Sequence, residues 1–418
     1  MMIRRHVKFL VLSAALVLAL PVVASAQMSR VEGMALQGDY IKDWSGIFTY
    51  TSQVANVGNL VYGELGNVNS PPFTFDRSVG AVVGNLWEGR LGTWAIHLHE
   101  QQTNLGQGNA FSNPAPGTFG GDPNVNTAES FDIMWGKKFG TTSFGLRLAR
   151  SDGAAEQTVG GVVSKFEGDL SQPDLNRARN MFGVSGGVGF ELNPTTNLEI
   201  GLTYQDRSWK QDVPGLTAEQ DGSAAYLLAA RAMWQWQPNI MVVPVFKYYN
   251  FDLGEKFTPT GGPTTKFDNS RKGWQVGGAG NWTLGSNDLF VLGLTFAQNK
   301  LDQQEDLFGL GFGDTLKFTE TFTPQLFASL ETHVNSWLTL RFGANKGAFE
   351  KLKIEAPNGD KATLTSSTFN MSLGAGLKFG NLQLDAILDN NFPNHLPYFI
   401  SGDVTTNTFT KVTATYPW

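Results

Sequence analysis

Apolar and polar residues alternate with period two along most of this chain. In 93–101, Trp94, Ile96 and Leu98 face one way while Ala95, His97 and His99 face the other. In 182–192, Val184, Val188 and Phe190 stand against Ser185, Gly187 and Glu191. Leu198, Ile200, Leu202 and Tyr204 oppose Glu199, Thr203 and Gln205, and Leu338, Leu340 and Phe342 oppose Thr339, Arg341 and Asn345. Such a period is that of a β-strand with two unlike faces. No helical segment is available to cover the apolar face, so two architectures remain. One is a pair of sandwiched sheets; the other is a closed barrel with lipid outside and water inside.

Connection lengths choose between them. Tight links at 88–91, 140, 193–197, 237–239, 285–287, 333–336 and 380–381 alternate with long polar links at 66–77, 103–127, 151–176, 208–221, 252–269, 299–317, 347–362 and 391–403. Short turns at one end and long loops at the other mark an outer-membrane barrel, and this alternation predicts about 16 strands. The prediction is therefore all-β: an antiparallel transmembrane β-barrel over 59–418, with 59–65 as its first strand. Both chain ends then lie at the short-turn, periplasmic side. Aromatic residues fall beside the short turns, at Trp87, Phe139, Trp234, Trp236, Trp282, Trp337, Phe379 and Trp418. An indole has an apolar body and an N–H donor, which suits a membrane interface.

The N-terminus predicts export. Arg4, Arg5 and Lys8 precede an apolar run over 9–20, and Ala24-Ser25-Ala26 supplies small residues at a cut site. This is the pattern of a signal peptide, here 1–26, leaving a leader at 27–58 before the barrel. Losing three basic residues takes the formal charge from −6 to −9, an acidic balance that argues against nucleic acid as a partner. With no cysteine, neither a lipid anchor nor a disulfide is expected.

With the apolar rows outward, the inward set is Asp132, Lys138, Arg147, Glu191, Glu199, Arg231, Lys247, Glu331, Arg341, Lys378, Asp385 and Asp389. Charges facing lipid are costly, so alternation sends these to the lumen. A barrel this wide is not filled by its own side chains, so these residues are expected to line an aqueous channel unless a loop or the leader enters it. His97 and His99 have the His-x-His spacing that metal sites use. Glu100 has the wrong parity and His333 and His395 lie in links, so no third ligand is evident. The pair is read as pore-lining, with no metal or cofactor expected. Asp302, Glu305, Asp306 and Asp314 are read as a solvated loop, with calcium or lipopolysaccharide bridging as the alternative. No nucleophile elbow, phosphate loop or zinc motif occurs, so no enzyme is expected.

Val412, Ala414, Tyr416 and Trp418 form one face of a final strand whose other face carries Lys411, Thr413 and Thr415. This ending resembles the C-terminal signal by which outer-membrane barrels are read by the barrel-assembly machinery. In strand count and ending the chain resembles porins. That resemblance implies residence in the bacterial outer membrane among lipid and lipopolysaccharide, and passive diffusion of small hydrophilic solutes. It admits a homotrimer and a constriction formed by the Gly-, Asn- and Pro-rich loop at 103–127. In the leader, Ser29-x-x-Glu32 is a capping-box pattern, and Gly38 ends a predicted helix of one or two turns bearing Val31, Met34 and Ala35. The stretch 33–50, with Gly38, Asp39, Tyr40 and Asp43, resembles the hatch segment of the fatty-acid and hydrocarbon channel family. It departs from that family in having Phe48-Thr49-Tyr50 where Asn-Pro is usual. A hatched channel for hydrophobic compounds therefore stays open as an alternative, with Val243, Val245, Phe327 and Ile387 facing the lumen. So does a plugged structural or adhesive barrel.

Overall fold

The structure, a computed structural model, describes residues 29–66, 77–84, 86–99, 129–158, 163–165, 175–213, 216–222, 224–252, 254–285, 287–304, 315–348, 350–356, 358–388 and 409–418. The predicted signal peptide at 1–26, the loop at 103–127, Asp389 and His395 lie outside them. Sixteen strands form the barrel. The first eight are β1 (Leu60–Leu65), β2 (Arg77–Val83), β3 (Thr93–His99), β4 (Glu129–Phe139), β5 (Thr142–Thr158), β6 (Leu175–Asn193), β7 (Thr196–Val213) and β8 (Ala224–Gln237). Then come β9 (Ile240–Asp252), β10 (Ser270–Leu284), β11 (Asp288–Gln304), β12 (Thr315–His333), β13 (Leu338–Gly347), β14 (Phe369–Phe379), β15 (Leu382–Leu388) and β16 (Phe409–Pro417). Each pairs antiparallel with its neighbours in sequence. The circuit closes where β1 pairs with β16, Leu60 opposite Pro417 and Leu65 opposite Val412. Closure leaves no backbone edge unpaired, which is what lets strands cross a bilayer.

The outward rows carry Ile96, Leu98, Leu146, Leu148, Leu202, Leu292, Leu294, Leu340 and Phe342, all exposed on a continuous apolar band. Among the described residues no helix is long and apolar enough to span a membrane; the strands do so.

Five of the predicted long links carry strand among their described residues. Strand β5 runs on to Thr158 and β6 begins at Leu175, while short ribbons at Leu216–Gln220, Glu255–Pro259, Thr265–Phe267, Glu350–Glu355 and Lys361–Ser366 extend the wall upward. Above the apolar band the outward face meets water instead of lipid, while inward residues such as Phe318 and Ile354 are buried. The period-two signal fades there, and the strand reads as a polar loop.

The leader enters the barrel. It forms α1 (Ser29–Glu32) and three 3₁₀ turns at Gly38–Tyr40, Trp44–Phe48 and Thr51–Asn56. The helix is the single turn at the short end of the prediction and stops at Glu32, before Met34, Ala35 and Gly38, for a physical reason. Its two capping-box side chains bond the wall instead: Ser29 Oγ lies 2.7 Å from Thr413 Oγ1, and Glu32 accepts from Lys411 Nζ at 2.9 Å. The molecule's main apolar clusters join leader to wall. Val31, Met34, Leu36, Tyr40 and Ile41 pack on Val243, Val245, Ala279, Val291 and Phe327. Ile47, Phe48 and Val54 pack on Tyr62, Val82, Ala95 and Met134. Full burial of side chains of this size stabilises by about 1.5–3 kcal/mol each.

Wall glycines make room for the leader backbone. A Cβ added at Gly145 would overlap the Thr51 carbonyl, and one at Gly343 would overlap the Met34 carbonyl. A Gly343→Val variant is expected to keep its heat-modifiable barrel mobility on a gel but to lose the leader's protection from protease. A fully protected leader would contradict this contact.

Candidate functional site

The filled lumen is the candidate site, and it is built from charges that β-alternation sends inward. Of the predicted inward residues, Asp132, Arg147, Glu199, Arg231, Lys247, Glu331, Arg341 and Asp385 are buried. They do not line open water, because the leader occupies the space they face. Lys138 and Glu191 are exposed and pair with each other near the short turns. Lys378 is exposed at the same end, beside a cavity.

Ion pairs lash the leader to the wall at three places, and Arg231 holds it at a fourth by hydrogen bonds. Arg231 on β8 binds Glu199 on β7 at 2.7 Å and donates from Nη1 to the carbonyls of Gly38, Asp39 and Ile41 at 3.2, 2.8 and 3.2 Å. Its guanidinium lies over the Tyr50 ring at 4.3 Å, and Gln53 Nε2 donates to both Glu199 oxygens at 2.9 Å. Lys247 on β9 donates to the Asp39 carboxylate. Arg30 bridges Asp43 and Glu331, both at 2.8 Å, while Arg341 joins Glu331 and Asp385 at 2.6 and 2.7 Å. Lys411 on β16 reaches Glu32 and Glu64 at 2.9 and 3.1 Å. Buried charges persist only when paired and hydrogen-bonded, and here nearly every pair includes or touches a leader group. In the leader, burial pushes the Tyr40 phenol up to about 12, and it bonds Thr295 Oγ1 at 2.7 Å. That hydroxyl stays neutral at working pH.

Arg30, Glu32, Asp39, Asp43, Glu64 and Lys411 were absent from the sequence-based site. Alternation places Lys411 inward, but the leader has no period to place its charges.

On the inner face of β3 to β5, Arg147 of β5 grips both oxygens of Asp132 of β4 at 3.1 Å and donates to the Phe48 carbonyl at 3.2 Å. The His97 and His99 rings stack beside them with centroids 4.9 Å apart.

Two cavities flank the leader at the short-turn end. One, of about 600 Å³, is bordered by Lys42, Trp44, Gln53, Lys138, Glu191 and Glu199. The other, of about 550 Å³, is bordered by Arg30, His333, Arg341, Lys378 and Gln383.

Seven of the predicted interface aromatics, Trp87, Phe139, Trp234, Trp236, Trp337, Phe379 and Trp418, are exposed at this end. Trp282 is half-buried, its ring over Gly280 and 5.7 Å from Phe290. On β16, Tyr416 and Trp418 are exposed and Val412 and Ala414 half-buried, while Lys411 and Thr413 are buried on the opposite, inward face.

No family model matches the chain, and no curated protein does. Solved structures similar to it include the Pseudomonas putida toluene transporter TodX, at 8% identity and a TM-score of 0.39 over 94% of this chain and 96% of that one. The siderophore receptor PiuA from Acinetobacter baumannii matches at 10% identity and a TM-score of 0.44, over 79% of this chain and 57% of that one. The copper transporter OprC matches at 14% identity and a TM-score of 0.41, over 79% of this chain and 61% of that one. The barrel assignment rests on the closed strand circuit itself. The chain is a closed 16-stranded antiparallel barrel of the outer-membrane type with its leader inside.

Proposed function

We propose that this is a hatched transport channel of the bacterial outer membrane, in which residues 27–58 form the hatch and must shift for solute to pass. The observation that carries this is the leader itself, packed in the lumen and held by ion pairs from strands on several sides of the wall. A structural barrel has no need of a removable core held by charges, whereas a gate needs contacts that can be exchanged for water. Small hydrophilic solutes are the favoured cargo, because the cavities beside the hatch are bordered by Lys138, Glu191, Arg341 and Lys378. A second reading, hydrophobic cargo, is favoured by an inner-wall cluster of Leu227, Tyr249, Phe251 and Ala297 towards the long loops.

The chain has no cysteine, so an engineered pair has no competitor. Ser29→Cys with Thr413→Cys pins the start of the hatch, whose end already continues into β1. In proteoliposomes, oxidation is expected to cut sugar flux at least about tenfold relative to the reduced protein. Equal flux in both states would show that solute passes without hatch movement. Replacing sugar with a labelled aromatic hydrocarbon separates the two cargoes.

Lipopolysaccharide is proposed as a partner at the long-loop end. Lys272 and Lys300 stand directly opposite each other on the outward face of β10 and β11, and Thr319 and Lys353 continue the row. Like charges in opposed positions repel, so the row suits bound phosphate. Trp274, one outward position below Lys272 and paired with Tyr248, marks the apolar boundary beneath it. Lys272→Ala with Lys300→Ala is expected to weaken lipid A binding about 30-fold, at about 1 kcal/mol per lysine. Unchanged binding would place the lipid elsewhere.

A further inference from the structure

We propose that His97, His99 and Asp132 bind one divalent transition-metal ion on the inner wall, against the hatch. His97 and His99 share the inward face of β3, and the strand register sets Asp132 of β4 opposite His97. One ring nitrogen from each histidine and one Asp132 carboxylate oxygen lie within 4.8 Å of one another. Tetrahedral ligands at metal bonds of about 2.0–2.1 Å stand about 3.4 Å apart, so a modest closing of the three groups completes the site.

A second observation points to a ligand. His97 is fully buried, yet its Nε2 meets no hydrogen-bond partner. A buried polar atom left unpaired costs about 1–3 kcal/mol. Its other nitrogen, Nδ1, lies 2.9 Å from the Tyr62 hydroxyl. With Nδ1–H donating to that oxygen, Nε2 carries the free lone pair a metal needs, and Tyr62 fixes the ring as a partner behind a ligating histidine does.

Arg147 does not exclude the ion. Its Nη2 donates to both Asp132 oxygens and occupies one lone pair on each, and a carboxylate has about four such sites. The guanidinium is also tied to the Phe48 carbonyl, so it steadies Asp132 rather than screening it. Two imidazoles with one carboxylate suit zinc, copper or nickel better than calcium or magnesium, which take oxygen ligands. Three protein ligands leave a fourth position open. His99 borders a cavity of about 800 Å³ shared with Glu64, Arg77, Ser78 and Ser130, which provides an entry path. Phe48 of the hatch lies 4.9 Å from the His97 ring, so an ion held here bears on the hatch.

The test is isothermal titration of Zn²⁺ into the refolded, untagged, chelator-washed mature chain, with Co²⁺ absorption reporting geometry. One saturable site is expected, with the intense visible bands of four-coordinate cobalt. His99→Ala should lower affinity at least about 100-fold, and Tyr62→Phe about 10–100-fold, as loss of a positioning group does. Heat-modifiable mobility confirms that each variant is folded. A His333→Ala, His395→Ala background should bind as the parent does. Absence of saturable binding in the folded parent, or equal binding after His99→Ala, overturns the proposal. So does binding that vanishes in the His333→Ala, His395→Ala background.

Discussion

Deleting residues 27–58 is expected to turn a closed barrel into a conducting one. In a planar bilayer the intact refolded chain should be silent or nearly so, and the truncated chain should show steady ohmic steps. A circuit of 16 strands is too wide for its own side chains to fill, and removing the leader empties the space that Val31, Tyr40, Ile47 and Phe48 occupy. The wall should survive the deletion. Its backbone bonds run strand to strand, and its outward rows meet the same lipid whether or not the lumen is full. Glu199, Arg231, Lys247 and Glu331 lose leader partners but gain water, which lowers the cost of exposing them. Silence from correctly folded truncated barrels would mean that something else blocks the lumen, and would remove the hatch from its assigned role. Equal conductance in both chains would show that solute already passes around the leader.

The second large effect is expected at Arg231. Changing it to Met leaves the carbonyls of Gly38, Asp39 and Ile41 without their donor and Glu199 without its cation. Removing one member of a buried ion pair costs about 3–5 kcal/mol, because the other charge stays buried alone. Here the cost falls on hatch docking rather than on the barrel, since Arg231 touches the leader at four residues, Gly38, Asp39 and Ile41 by hydrogen bonds and Tyr50 by its ring, and shares Glu199 with a fifth, Gln53. At about 1.4 kcal/mol per factor of ten, the undocked fraction should rise at least about 100-fold. Brief openings in single-channel records should become correspondingly more frequent, with heat-modifiable mobility unchanged. If the variant is as quiet as the parent, Arg231 does not hold the hatch. Replacing Glu199 by Met in the same chain removes the stranded carboxylate and should restore part of the closed state.

Strands whose two faces meet lipid and lumen wrote themselves into the sequence as strict alternation, and short turns flanked by tryptophans marked one rim. That is why the strand number and the outward rows could be read from residues such as Ile200, Leu202 and Leu340. What lay beyond reading has a common physical origin. Asp132 becomes a neighbour of His97 only through the register of β3 against β4, and register is a property of two segments. Likewise, Ser29 and Glu32 have the form of a local helix cap, but Thr413 and Lys411 offer better partners almost the whole chain away. The leader has no repeat at all: its apolar residues follow the uneven inside of a wall, so no periodic face could show which of its charges would meet Arg231 or Lys247. The ribbons above the membrane were missed because their outward face meets water instead of lipid, which removes the apolar outward row on which the pattern depends.

Strand β16 carries, on one short segment, the backbone edge that completes the circuit with β1 and the side chains, Lys411 and Thr413, that hold the start of the leader. It is also the last of the sixteen barrel strands in chain order. A chain assembling into a membrane therefore cannot seal its wall before it has the means to secure its core. The final strand delivers both at once, so sealing the wall and fastening the start of the leader become a single event. If the leader is the hatch proposed above, newly made barrels should add no leak to the membrane they enter, and a chain cut before β16 should fail to close instead of inserting as an open hole.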